Sequence, residues 1–185
     1  AALLLALPGG LPARAQEVGG LSSLSAVLYE PESGRVLYEK DGHTPRPMAS
    51  TTKLMTALLA VENCPLEQEV VVTAEAVRVE GSALGLRAGD RITVEDLVTG
   101  LLLESGNDAA NVIAYTLDGG IPAFARRMNA RAAEIGMEDT TFVTPSGLDE
   151  GEHSSSACDM ALLAAEVLKN ETLAAVCAMK TAVIQ

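Results

Sequence analysis

Ser50 and Lys53 stand one helical turn apart at the head of an apolar-periodic stretch, and Ser105-Gly106-Asn107 follows between two more such stretches. A hydroxyl beside an amine is a pairing for acyl transfer, because serine at its free pKa is a weak nucleophile and needs an adjacent base. From Ser50, the residues Leu54, Ala57, Leu58 and Val61 recur at the spacing of a helix stripe packed on a core. Ser50 and Lys53 fall on or beside that stripe, so the ammonium is aimed inward. Lost hydration disfavours its charged form and lowers its pKa toward the range where it accepts a proton. The helix N-terminus adds N–H groups suited to developing negative charge. A plainer reading stays open for each piece. Ser50 can be an N-cap with Thr51 and Thr52 as alternates, Lys53 can snorkel to water, and Ser105-Gly106-Asn107 can be a helix-breaking turn with Asn107 or Asp108 as cap.

Together with their surroundings the two motifs resemble a family. Met48-Ala49-Ser50-Thr51-Thr52-Lys53-Leu54-Met55-Thr56-Ala57 and Leu102-Leu103-Glu104-Ser105-Gly106-Asn107-Asp108-Ala109-Ala110 resemble the first and second motifs of the serine D-alanyl-D-alanine carboxypeptidases, the low-molecular-mass penicillin-binding proteins. Such proteins carry a Ser-x-x-Lys, Ser-Asp-Asn, Lys-Thr-Gly set; here Gly106 occupies the middle of the second motif. The likeness extends through Leu28-Tyr29 to Tyr38-Glu39, Gly81 to Asp90 and Thr144-Pro145-Ser146-Gly147-Leu148, and so from about Leu24 onward. No Lys-Thr-Gly follows Ser105. Lys180-Thr181 is continued by Ala182, arrives too early in the family pattern, and is not counted.

The resemblance implies a mechanism. Ser50 attacks the carbonyl of a terminal D-Ala-D-Ala bond in a peptidoglycan stem peptide, Lys53 takes its proton, Ser105 relays a proton to the leaving amine, and Asn107 hydrogen-bonds the substrate backbone. β-Lactam antibiotics, as mimics of that dipeptide, would acylate Ser50 and leave slowly. It implies no cofactor. Two rivals share the signature: a β-lactamase-related hydrolase, disfavoured because no Glu-x-x-Leu-Asn element follows Ser105, and a catalytically silent module that binds peptidoglycan or β-lactams.

The elements that must hold these residues are legible in outline. Ser25 to Glu30 and Arg35 to Glu39 alternate as strands around a Pro31 to Gly34 turn. Helices account for most of the rest. Thr93 with Asp96 reads as a capping box before Val94, Leu97, Val98, Leu101 and Leu102. Asp108 to Leu117 is the next helix, closed by Gly119-Gly120, and Pro122 opens another that carries Phe124, Met128 and Ile135 and ends at Gly136. Asp159 reads as the cap of Met160 to Leu168, and Met179 to Ile184 as the beginning of a strand. This is an α+β (mixed α/β) pattern with a helical cluster on an antiparallel sheet. The resemblance implies the β-lactamase/transpeptidase-like fold with first and last strands adjacent, the C-terminal strands being missing from this chain. The initial hairpin then has an open edge and an uncovered face.

Composition narrows the partners. A formal net charge of -12 and no tryptophan argue against nucleic acid, which needs a basic surface and stacking platforms. Ala1 to Leu7, Pro8-Gly9-Gly10 and Ala13-Arg14-Ala15 read as a signal-peptide remnant over residues 1–15, leaving 16–185 as a partial catalytic domain of an exported, cell-envelope protein. Membrane anchoring through a segment absent from this chain is expected from the resemblance. Cys64, Cys158 and Cys177 are odd in number and lack metal-ligand spacing, so at least one thiol is unpaired; they read as buried free cysteines, with one bridge between two of them left open. His43 and His153 suggest no Cys-His pairing, and no metal is expected.

Overall fold

The alternating segment forms its hairpin: β1 (Ala26–Glu30) pairs antiparallel with β2 (Arg35–Lys40), Ala26 opposite Lys40 and Leu28 opposite Tyr38, with a bulge after Leu28. The turn is closed by Gly34 N donating to Glu30 O at 3.0 Å, while the Glu30 carboxylate accepts from the backbone N–H of Glu32 and of Ser33. The computed structural model describes residues 20–148 and 150–184, so the leader expected over 1–15 lies outside the described residues.

After the hairpin a 3-10 turn over Ala49–Thr52 runs into α1 (Lys53–Asn63). Of the expected stripe, Ala57 and Leu58 are buried and Leu54 and Val61 only half so, whereas Met55, Thr56, Leu59 and Ala60 are buried too. A helix apolar nearly all round becomes the centre of a cluster rather than its wall. It packs against α2 (Val94–Leu103), α3 (Asn107–Asp118), α4 (Ile121–Ile135) and α5 (Ala157–Lys169). Met55, Leu97, Leu101, Phe124, Met128 and Leu163 fill the shared core.

Helix ends follow local chemistry. Thr93 Oγ1 accepts from Asp96 N at 3.1 Å at the start of α2, as its spacing predicts. Pro122 lies in the first turn of α4, and Gly119 and Gly136 close α3 and α4. The start of α5 corrects the sequence reading: Ser156, not Asp159, is the cap, its Oγ accepting from Asp159 N at 3.2 Å. That frees the Asp159 carboxylate to accept from Asp139 N at 2.8 Å and Thr140 Oγ1 at 2.6 Å. A three-residue run of Ser154 to Ser156 offers several equivalent hydroxyls, and tertiary contacts select among them.

Three features differ from the sequence expectation. A second small sheet pairs β3 (Glu69–Val71) with β4 (Arg91–Thr93), Val70 opposite Ile92, and both of those side chains are buried. An eight-residue helix, α6 (Glu171–Ala178), is capped by Asn170 and packs on α2 and α5. Met179 to Ile184, expected as a strand, joins no ladder among the described residues. The hairpin packs on α5 through β1, which gives the predicted helical cluster on an antiparallel sheet. Two isolated bridges meet in the segment just ahead of α5: Arg46 with Ser155 ties it to the segment before Ser50, and Thr141 with Ser154 ties it to the segment after α4.

Candidate active site

Ser50 sits exposed in the 3-10 turn, and Lys53, only 2% exposed, reaches it from the first residue of α1. Lys53 Nζ lies 3.1 Å from Ser50 Oγ and donates to Ser146 O at 2.7 Å. Burial lowers the Lys53 pKa from 10.5 to about 8. A neutral amine in this position keeps an N–H on the Ser146 carbonyl and turns its lone pair toward the serine hydroxyl. Ser50 is not a helix cap, and Lys53 does not snorkel. Met48 holds the capping position of the turn and Thr52 that of α1, neither with a side-chain capping bond; Thr51 Oγ1 donates to Met48 O at 2.6 Å, and the Lys53 amine is held inward on Ser50 and Ser146 rather than carried out along the surface. One N–H expected at the helix start is already used, since Thr51 N donates to Met48 O at 3.3 Å.

The loop that receives Lys53 is itself held from two sides. Thr56 Oγ1 donates to Pro145 O at 2.7 Å, one turn beyond Lys53. His153 Nδ1 accepts from Val143 N at 2.9 Å and Thr144 N at 3.3 Å, which assigns the proton of the neutral ring to Nε2, 2.8 Å from Thr52 Oγ1. Thr52 lies between Ser50 and Lys53, so the buried imidazole joins the loop to the motif. Gly147 makes the approach possible: its φ is +85° and a Cβ there would stand 1.9 Å from Ala49 O. Thr144 to Leu148 belongs to the family likeness, but no sequence signal marks the role of that loop or of His153. A lone histidine in a polar run carries no periodic or spacing signal.

Ser105 forms the opposite wall. It follows α2 in the left-handed region at φ 57°, and Ala49, just before Ser50, has φ 46°. These are two of the three non-glycine residues with positive φ among the described residues; Ser105 lines the cavity, and Ala49 directly precedes Ser50, which lines it too. Backbone in that region costs about 1–2 kcal/mol for a residue with a Cβ, so it persists where the surroundings enforce it. Ser50, Lys53 and Ser105 line a cavity of about 430 Å³ with Leu54, Leu101 to Leu103 and Cys177. Lys180 and Thr181 line a separate cavity instead, with Thr99, Gly100 and Glu104.

Asn107 opens α3 behind Ser105, 5% exposed, and lies outside that lining. Its Nδ2 donates to Glu80 O at 2.6 Å and its backbone N to Ser82 O at 2.8 Å. The neighbouring Asp108, read from sequence as no more than a cap, accepts from Leu84 N at 2.9 Å, Gly85 N at 2.9 Å and Leu86 N at 3.0 Å, besides Ala109 N of its own helix. The 80–86 loop is thus clasped to the start of α3. Leu84 fits where Gly100 has no side chain, since a Cβ on Gly100 would stand 2.4 Å from Leu84 Cδ1.

The cysteines are all free: Cys64 is half-buried, Cys158 buried and Cys177 exposed at the cavity, so the open question of a bridge resolves to none. The reading of all three as buried holds only for Cys158.

The chain is 38% identical over 154 residues to the D-alanyl-D-alanine carboxypeptidase DacF of Bacillus subtilis, covering 80% of this chain and 40% of that protein. With the carboxypeptidase DacB2 of Mycobacterium tuberculosis it shares 36% identity over 158 residues, 84% of this chain and 54% of the relative. The chain therefore spans about half the length of these curated relatives. A crystal structure of a D-alanyl-D-alanine carboxypeptidase from Mycobacterium tuberculosis H37Rv superposes with a TM-score of 0.89 at 34% identity, over 94% of this chain and 66% of that one. Residues 13–183 match the model of peptidase family S11, described as D-alanyl-D-alanine carboxypeptidase, and the chain belongs to that family.

Proposed function

We propose that the protein carrying this chain is a serine-type D-Ala-D-Ala carboxypeptidase that trims the last D-alanine from peptidoglycan stem pentapeptides. The observation that carries this is the buried Lys53 amine, with a pKa lowered to about 8, set 3.1 Å from the exposed hydroxyl of Ser50.

In the proposed reaction Ser50 Oγ forms a bond to the carbonyl carbon of the penultimate D-Ala as its proton passes to Lys53 Nζ. The C–N bond to the terminal D-Ala then breaks. The proton held on Lys53 is delivered to the departing amine through Ser105, across the cavity the three residues share. A water molecule next attacks the ester, Lys53 takes its proton, and Ser50 is restored as the shortened peptide leaves. Asn107 supports the substrate backbone; its bond to Glu80 O uses one of the two N–H donors of the amide, leaving a carbonyl and a second N–H for that role. Ser146 O keeps the amine of Lys53 in place through both stages by accepting one of its N–H groups.

β-Lactams are covalent inhibitors in this reading, acylating the same hydroxyl. Peptidoglycan lies outside the cytoplasmic membrane, so in this reading the protein acts in the cell envelope after export. Intact-mass analysis of the full-length protein with benzylpenicillin tests the reading. A stable single adduct that disappears in Ser50→Ala is expected. Rapid loss of the adduct would point to a β-lactamase, and no adduct on folded protein to a binding module; labelled Ser50→Ala would overturn the assignment of the nucleophile.

A further inference from the structure

Glu39 near the end of β2, His43 in the turn beyond it and Cys158 in the first turn of α5 bring a carboxylate oxygen, a ring nitrogen and a sulfur within 4.8 Å of one another. The backbone holds them there, since Cys158 N donates to Gly42 O at 3.0 Å. Gly42 leaves the space they share: a Cβ on it would stand 2.5 Å from Glu39 Cγ and 2.7 Å from Cys158 Sγ. His43 Nδ1 lies 2.8 Å from Asp139 Oδ2, and Asp139 N donates to Asp159, so the imidazole is oriented by a carboxylate that is itself fixed. The surroundings are acidic. The bond to Asp139 raises the His43 pKa, and burial followed by Glu39, Asp159 and Asp139 raises that of Cys158.

We infer that Glu39, His43 and Cys158 form a binding site for a zinc-type divalent cation that fastens the β1–β2 hairpin to α5. The donor set selects the metal: thiolate, imidazole and carboxylate together suit Zn²⁺, whereas calcium and magnesium take oxygen ligands alone. Donor atoms around zinc stand about 3.3–3.8 Å apart, given bonds of about 2.0–2.3 Å in a tetrahedron. Glu39 is exposed and can close that remaining gap by changing rotamer while Asp139 keeps the imidazole in place, with a water as fourth ligand. On binding, the Cys158 thiol releases its proton to solvent, so affinity rises with pH. None of the three residues lines the cavity of Ser50, which makes the site structural rather than part of acyl transfer. Sequence spacing suggested neither a Cys-His pairing nor a metal, because the ligands come from two distant segments that meet only in the folded chain.

Cobalt titration of the reduced full-length protein reads the site directly and without reference to peptidase activity. A thiolate-to-cobalt charge-transfer band with the visible bands of four-coordinate cobalt is expected, bleached by added Zn²⁺. It should vanish in Cys158→Ser and persist in Cys64→Ser and Cys177→Ser. His43→Ala and Glu39→Gln change exposed side chains and should each weaken cobalt binding about tenfold or more. Absence of the band in the wild type, its survival in Cys158→Ser, or unchanged affinity in both exposed-residue variants overturns the proposal.

Discussion

The helix that carries Lys53 and the hairpin that precedes it are built on opposite terms. Along α1, Met55, Ala57, Leu58, Leu59 and Ala60 are each at most 2% exposed, enclosed by four other helices. Neither β1 nor β2 contains a fully buried residue, and Leu28, Val36 and Leu37 are 56%, 48% and 50% exposed. Lys53 stands at the head of the enclosed element, with Ser50 in the 3-10 turn that leads into it. Enclosure is what lowers the pKa of Lys53, so in this molecule packing and chemistry are the same fact. A lysine at the same distance from a serine on the hairpin would keep its hydration and its proton.

The comparison is broken most severely at Lys53. Lys53→Met keeps the buried stem and removes the amine, so acylation of the full-length protein by benzylpenicillin should fall by about 10²–10⁴ while the fold persists, as stopped-flow kinetics and circular dichroism together would show. Next comes the core around α1. Phe124→Ala, at a fully buried position, should cost about 3–5 kcal/mol in denaturant unfolding. Asp108→Ala strips the acceptor from three N–H groups of the 80–86 loop and should cost about 3 kcal/mol, with faster amide exchange at Leu84 to Leu86.

Two smaller effects sharpen the contrast. Folding lowers the Lys53 pKa, so between about 8 and 10.5 the unfolded chain binds more protons than the native one. Wild-type stability relative to Lys53→Met is therefore lowest and flat below about pH 8, rises up to 10.5 and levels beyond it, and a pH series of melts of both proteins would reveal the slope. Leu28→Ala on the hairpin should change the stability of this chain by no more than about 0.5 kcal/mol. A loss comparable to that of Phe124→Ala would mean that the hairpin is as enclosed as the helices.

What the sequence disclosed follows the range of the forces involved. Local signals were legible: the Pro31 to Gly34 turn, the Thr93 cap and the closures at Gly119 and Gly136 all depend on neighbours within a few residues. The inward placement of Lys53 was legible too, because helical periodicity fixes it. The burial of α1 on every side was not, since the sequence offers one stripe and the packing of four helices decides the rest. β3 and β4 escaped because three-residue strands whose partners are distant carry almost no periodic signal. At the site, Ser50, Lys53 and Ser105 share a cavity as expected. Their supports, Ser146 O, His153 and the Asp108 clasp, act through backbone atoms or through a single side chain far away in sequence, and spacing cannot reveal these.

The central claim is that a neutral, buried Lys53 activates Ser50. Its most direct test is the rate of acylation of the full-length protein by benzylpenicillin from about pH 6 to about pH 9. The account predicts a rate that climbs about tenfold per pH unit at the acid end and levels above about 8, with the slope abolished in Lys53→Met. A rate independent of pH across that range, or the same profile in the variant, would contradict it.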